Sequence, residues 1–232
     1  MESRFTPPTS AAAWRVTWLA PMRVEARAVR AGLAGHPQAR VVRTGSGRSR
    51  AMRAARSLLG VRDGVLVVAG VAGGLDPGLH TGDVVVADRV WYAGSQGERW
   101  SPPTELSVAQ GLADALQSRG IPVRTGALVS VDRPVLTAHR DTVGADGALA
   151  VDLETVWLLR MPARLHCVIR VIADPAGRPL LRPSTLLDVR TALRSLTETV
   201  RALAPLLCPP IAVDPTHESR RDQEVDASWP CH

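Results

Sequence analysis

The chain has 232 residues and a formal net charge of +6, long enough for one large α/β domain with a substantial core. Its three cysteines, Cys167, Cys208 and Cys231, show no C-x-x-C spacing, which argues against both a disulfide framework and a zinc site. No apolar run reaches the roughly eighteen residues of a membrane-crossing helix, and the opening MESRFTPPTSAAAW lacks the apolar stretch of a secretory signal. A reduced cytoplasm is the expected setting.

Every basic residue is an arginine; there is no lysine. Arg50, Arg53 and Arg56 recur at spacing three on one predicted helix and form a basic stripe. Such a stripe suits a nucleic-acid surface or a solvated helix face equally well. With one tyrosine and one phenylalanine, the aromatic platforms on which single strands stack are largely missing, and no nucleic-acid partner is expected.

In chain order, β-rich runs at residues 15–19, 39–44, 64–69, 83–91, 123–130, 148–152 and 167–173 alternate with helical patterns. The helices are expected at 25–33, 48–59, 106–119, 154–161 and 185–207, with Ser107 capping the third. This alternation predicts an α/β fold in which helices cover a mixed sheet. Residues 1–13 read as a loose leader, 14–208 as the folded domain, and 209–232 as a polar, charged, disordered tail. Between Trp91 and Pro103 a loop carries three aromatics (WYAGSQGERWSPP), which suits a lid, a partner surface, a ligand wall or a segment tucked under itself.

The segment VLVVAGVAGGLDPGLHTGDVVVAD, Val65 to Asp88, carries the most information. An apolar strand runs into glycines at 70, 73 and 74, read as a loop. There the missing Cβ atoms would let a flat ligand lie on main-chain N–H and C=O groups. Polar residues follow other predicted strands: Glu25 after the first, the Gly45-Ser46-Gly47 turn after the second, then Asp152 with Glu154, and Asp174. A covered sheet gathers such strand ends at one rim, where small-molecule sites form. The glycine turn is neither a dinucleotide fingerprint nor a phosphate loop, and no G-x-S-x-G elbow occurs. No two histidines stand at i, i+4, so no metal centre is expected.

These residues carry a resemblance. The chain resembles the nucleoside phosphorylase/nucleosidase superfamily, and most of all the 5′-methylthioadenosine/S-adenosylhomocysteine nucleosidases and the hopanoid-associated nucleosidase/phosphorylase group. The matching segments run in order over residues 14 to 205. They are Pro21-Met22-Arg23-Val24-Glu25, Gly45-Ser46-Gly47-Arg48, Gly70-Val71-Ala72-Gly73-Gly74-Leu75 through Gly82-Asp83, Val151-Asp152-Leu153-Glu154, and Arg170-Val171-Ile172-Ala173-Asp174. The resemblance implies a single-domain α/β/α sandwich around a mixed, strongly twisted sheet, assembled as a homodimer or larger homo-oligomer. It implies cleavage of the N-glycosidic bond between a purine and ribose with no cofactor.

By that resemblance Asp174 shares a proton with purine N7, Glu154 binds a ribose hydroxyl beside the developing cation, and Glu25 orients and deprotonates water. Gly70, Val71, Ala72 and Gly73 hold the base, Leu153 packs on the ribose, and Asp152, Ser46 and Gly47 complete the substrate contacts. Two positions depart from the pattern. Pro134 stands where an aromatic often stacks on the purine, and Trp157 stands where small residues are usual. Read as a phosphorylase instead, the chain would hold phosphate as co-substrate through Arg23 and Arg48. The expected function is therefore hydrolytic release of adenine from a 5′-modified adenosine such as methylthioadenosine, S-adenosylhomocysteine or adenosylhopane. Phosphorolysis is one alternative, and a non-catalytic nucleoside-binding protein is another. A long apolar 5′ group would also turn the Trp91–Trp100 segment and the arginine-rich surface toward a membrane.

Overall fold

The computed structural model describes residues 16–58, 64–135, 140, 143–144, 146–176 and 185–208. The expected leader 1–13 and tail 209–232 lie outside these residues. The chain forms β1 (Val16–Ala20), α1 (Arg23–Gly32), β2 (Arg40–Arg43), α2 (Arg48–Ser57), β3 (Val65–Gly74), β4 (Val84–Ala93) and β5 (Arg99–Trp100). It continues through α3 (Ala109–Gln117), β6 (Val123–Ser130), β7 (Ala148–Asp152), the short α4 (Thr155–Leu158), β8 (Leu165–Asp174) and the long α5 (Thr185–Leu207).

The strands form one mixed sheet in the order β2-β1-β3-β7-β6-β4-β5, with β8 bridging β3 and β4. It twists far enough that β3, β8, β4, β6 and β7 close a ring of paired strands. Parallel β1 and β2 extend from the ring, and antiparallel β5 flanks β4. The central strands read as near-continuous apolar runs because helices cover both faces. Alternate residues of β3 point to opposite layers. Val65, Val67 and Ala69 pack with α1, α3 and α5, while Leu66 and Val68 pack with α2 and α4. The expected three-layer α/β/α arrangement is the one observed.

Three local differences matter. The glycine-rich stretch after Ala69 is strand, not loop. β3 runs on to Gly74 because β8 pairs with it along its length, and β7 joins antiparallel at Gly73 and Gly74. Helix α3 begins at Ala109 with Val108 as its N-cap residue, so Ser107 does not cap it. The aromatic loop is a β4–β5 hairpin whose aromatic side chains turn inward. Trp91 and Tyr92 are buried. Tyr92, Trp100 and Trp157 pack as a cluster with ring centroids 5.2–6.0 Å apart. Trp157 thus fills core. Among the described residues no helix is long and apolar enough to cross a membrane.

Candidate active site

The carboxyl ends of β1, β3, β7 and β8 open into a cavity of about 390 Å³ lined at its two ends by different chemistry. Glu25 stands in the first turn of α1, placed there by the short β1–α1 connection. It is 1% exposed. Its Oε2 accepts the Met22 N–H at 2.6 Å, and its Oε1 accepts the Val71 N–H at 2.8 Å. Burial pushes its pKa above the ordinary carboxylate range, and the Arg170 charge and both N–H donors oppose that rise.

Arg170 is the hub of this end. It sits mid-strand in β8 and is fully buried. Its partner in register on β3 is Gly70. A Cβ at residue 70 would collide with the Arg170 guanidinium and lie 2.6 Å from Glu25 Oε1. The glycine is there for close approach of two side chains, which is why Gly70 itself does not line the cavity. Arg170 Nη2 donates to Asp152 Oδ2 and, at 2.7 Å, to Thr155 Oγ1, and stands 3.9 Å from Glu154 Oε2. Burial alone would lower its pKa, but Asp152, Glu154 and Glu25 outweigh that and hold it charged.

Asp152 is consumed by this network. Its oxygens accept from Ser130 Oγ at 2.5 Å, the Thr155 N–H at 3.2 Å, Thr155 Oγ1 and Arg170. Its side chain is 2% exposed. Asp152, expected among the substrate contacts, lines the cavity and also binds Arg170.

Glu154 follows at the start of α4. Its Oε1 accepts from Ser46 Oγ at 2.6 Å and from the Gly47 N–H at 2.8 Å. Ser46 lines the cavity, whereas Gly47 acts on it through Glu154. Burial, then the neighbouring Asp152 charge, raises the Glu154 pKa; Arg170, Ser46 and Gly47 pull it down.

At the opposite end Asp174 closes β8. Burial raises its pKa, and an ion pair with Arg140 opposes the rise. Arg140 is itself buried, its side chain 3% exposed. Its Nη1 donates to the carbonyls of Gly74 (3.2 Å), Asp174 (2.9 Å) and Pro175 (3.0 Å), and its Nη2 to Asp174 Oδ2. Between the two ends the main chain of Val71, Ala72 and Gly73 forms one wall, and Val131, Pro134, Val135 and Leu153 form the apolar remainder. Pro134 therefore does stand in the cavity, where the family pattern often has an aromatic.

The two expected phosphate arginines do not reach this cavity. Arg48 stacks over the Trp157 ring, 4.4 Å from its centroid, and lies 3.9 Å from Asp132. Arg23 lines an adjoining cavity instead. Sequence reasoning had assigned no role to Arg170 or Arg140. A charge inside the apolar run CVIRVIAD signals Arg170, but nothing in the pattern around Arg140 marks it. Among the described residues, no group of three histidine, cysteine, aspartate or glutamate side chains is placed to hold a metal ion.

Three carboxylates with raised pKa values in one cavity, two of them facing a buried guanidinium, suit proton transfer beside a developing cation. The sequence profile of the phosphorylase superfamily matches residues 20–205. The chain belongs to the phosphorylase superfamily.

Solved structures agree in fold. The 5′-methylthioadenosine/S-adenosylhomocysteine nucleosidase from Helicobacter pylori superposes with a TM-score of 0.67 at 16% identity, covering 84% of this chain and 100% of that one. Futalosine hydrolase of the same organism gives 0.69 at 16% identity, covering 85% and 100%. The Neisseria meningitidis 5′-methylthioadenosine/S-adenosylhomocysteine nucleosidase, in complex with methylthio-immucillin-A, gives 0.62 at 16% identity, covering 82% and 96%. No curated protein matches the chain by sequence.

Proposed function

We propose that this superfamily member hydrolyses the N-glycosidic bond of a 5′-modified purine nucleoside, adenosine being the favoured base and sugar. The observation that carries the reading is the division of labour along the cavity, with Asp174 at one end and Glu25, Glu154 and buried Arg170 at the other. As the C1′–N9 bond breaks, its electron pair moves to the purine. Asp174, whose pKa burial raises, passes a proton to N7 so that the base leaves neutral. Glu154 holds a ribose hydroxyl and places negative charge beside the oxocarbenium-like sugar. Glu25 keeps one lone pair on each oxygen after accepting its two backbone N–H groups. It orients a water whose oxygen bonds to C1′ and whose proton it accepts.

Within the cavity itself the arginines favour water over phosphate; Arg23 lines only the adjoining cavity. Arg170 is sealed beneath the carboxylates, Arg140 is tied to Asp174 and three carbonyls, and Arg48 is stacked on Trp157. The ligands bound to related folds, such as methylthio-immucillin-A, support a nucleoside occupant. The test is base release from 5′-methylthioadenosine, S-adenosylhomocysteine, adenosine and inosine, with and without phosphate. Adenine release at equal rates in both conditions supports hydrolysis. Release only with phosphate assigns phosphorolysis. No release from any substrate, together with binding of one of them, assigns a nucleoside-binding protein.

A further inference from the structure

Three segments of the catalytic cavity wall converge on one side chain that does not line the cavity. Arg48 is the first residue of α2, directly after the turn whose Ser46 Oγ and Gly47 N–H hold Glu154 Oε1. Its guanidinium lies over the Trp157 ring, 4.4 Å from the centroid. Trp157 belongs to the same turn of chain as Glu154, and its N–H donates to the Glu154 carbonyl at 3.0 Å. Arg48 Nη1 also stands 3.9 Å from Asp132 Oδ1, in the loop that leaves β6. Each segment so touched supplies part of the wall. Ser46 comes from the turn, Glu154 from the start of α4, and Val131 and Pro134 from the loop around Asp132.

Taken alone, the placement of this cation is unfavourable. A positive charge in the first turn of a helix opposes the helix dipole. α2 has no acidic residue in its own first turn, and Gly47 at its N-cap has no side chain to cap it. Gly47 adopts φ +88° and ψ 161°, a combination almost exclusive to glycine. The negative charge comes instead from Glu154 on another element, while the Trp157 face and Asp132 hold Arg48 at the helix start. Both of these partners are themselves braced. Asp132 Oδ2 accepts from the Tyr92 hydroxyl, and Tyr92 and Trp100 pack edge-on against Trp157 with ring centroids 5.2 Å away. The Asp132 pair is partly exposed and screened by salt, so the stacking on a 3% exposed ring is the stronger attachment.

The turn and Glu154 lie 108 residues apart in the chain, and the Arg48–Trp157 contact clamps their two segments together outside the cavity lining. We infer that Arg48 is a positioning residue for Glu154. It touches no ligand, and it sets the ribose-binding carboxylate by fixing the Ser46–Gly47 turn against α4 through Trp157. The inference rests on the nucleosidase reading, in which Glu154 holds the ribose. It gives Arg48 a task different from the phosphate contact expected of it.

The test reads ribose recognition by binding and does not depend on turnover. The Asp174→Asn chain is titrated calorimetrically with adenosine and with 2′,3′-dideoxyadenosine, whose sugar ring offers Glu154 no hydroxyl. Both titrations are repeated after adding Arg48→Met or Arg48→Lys, with Arg56→Gln on the same helix as the control. Arg48 is half exposed, so these variants are expected to fold. Adenosine should bind at least ~10-fold tighter than the dideoxy ligand, the scale of a hydrogen bond to a charged group. Arg48→Met should cut that preference about 5-fold, the scale of a lost cation–π contact, by weakening adenosine alone. Arg48→Lys, which keeps a cation over the ring, and the control should preserve it within about twofold. In a Trp157→Phe chain, whose ring attracts a cation less, Arg48→Met should cost only about twofold.

A preference unchanged by Arg48→Met overturns the inference. So does an equal weakening of both ligands, a loss that Arg48→Lys does not restore, or a loss just as large in the Trp157→Phe chain. Equal affinity for the two ligands before any change at Arg48 overturns it together with the ribose role of Glu154. A preference that responds as expected in a chain that releases no base fails only the proposed hydrolysis. Base release with a preference indifferent to Arg48 fails only the positioning role.

Discussion

The two ends of the catalytic cavity are built on opposite plans. At the sugar end a buried cation is surrounded by three carboxylates and two hydroxyls, supplied by strand ends (Ser130, Asp152) and by the first turns of the helices that follow (Glu25, Glu154, Thr155). At the base end a single carboxylate is gripped by one arginine from a segment between β6 and β7. The first is a network of several charges around one cation, although Arg170 Nε and Nη1 make no hydrogen bond, and removing its cation strands every carboxylate in a low-dielectric interior. The second is a pair whose members also bond to main chain, so losing one leaves less behind. The sugar end should therefore couple stability to function, and the base end should separate them.

The largest effect that would break this contrast is expected at Arg170. Arg170→Met strands Asp152, Glu154 and Glu25 without their shared cation, and chemical denaturation should show a loss of about 3–5 kcal/mol, as for one partner removed from a buried pair. A loss within 1 kcal/mol would put the base end and sugar end on the same footing. Asp174→Asn comes next. Turnover should drop at least ~10²-fold, the scale of a removed general acid, while the melting temperature stays near that of the parent.

Arg140→Met sharpens the base end further. Arg140 lowers the Asp174 pKa against the rise from burial, with Asp188 the other charge that bears on it. In the proposed role Asp174 acts protonated, so activity is lost as pH rises through its pKa. Removing Arg140 lifts that pKa, and the alkaline limb of the pH–rate profile should move to higher pH. Turnover should also fall by roughly 10-fold as Asp174 loses its fixed orientation. A reduced rate with an unmoved alkaline limb would mean that Arg140 only braces the chain. The smallest effect is expected at Ser46→Ala, which removes one hydrogen bond to Glu154. About 1 kcal/mol should appear as a ~5-fold higher KM with kcat nearly constant.

What could be read from the sequence follows the same division. Strands with unbroken apolar runs were legible because both faces are covered; β7 spans the residues its pattern predicts. The Gly70–Gly74 stretch was misread because glycine disfavours strands on its own. Here pairing with β8 on one side, and with β7 at its far end, overrides that preference. The two-residue β5 is too short to leave any periodicity. That Glu25, Glu154 and Asp174 would line one cavity was legible because each stands at a strand exit. That Asp152 also binds a buried arginine was not, since nothing in a sequence separates a carboxylate so paired from an unpaired one. Arg140 was illegible for a plainer reason: its partners are carbonyls and a carboxylate 34 to 66 residues away.

In the proposed reaction these carboxylates direct water, not phosphate, to the anomeric carbon. Running the reaction on a cleavable 5′-modified adenosine in ¹⁸O-labelled water, with inorganic phosphate present, tests it most directly. Free adenine and a reducing sugar carrying one ¹⁸O at C1 are expected, with both lost on Glu25→Gln. An unlabelled sugar 1-phosphate would contradict it.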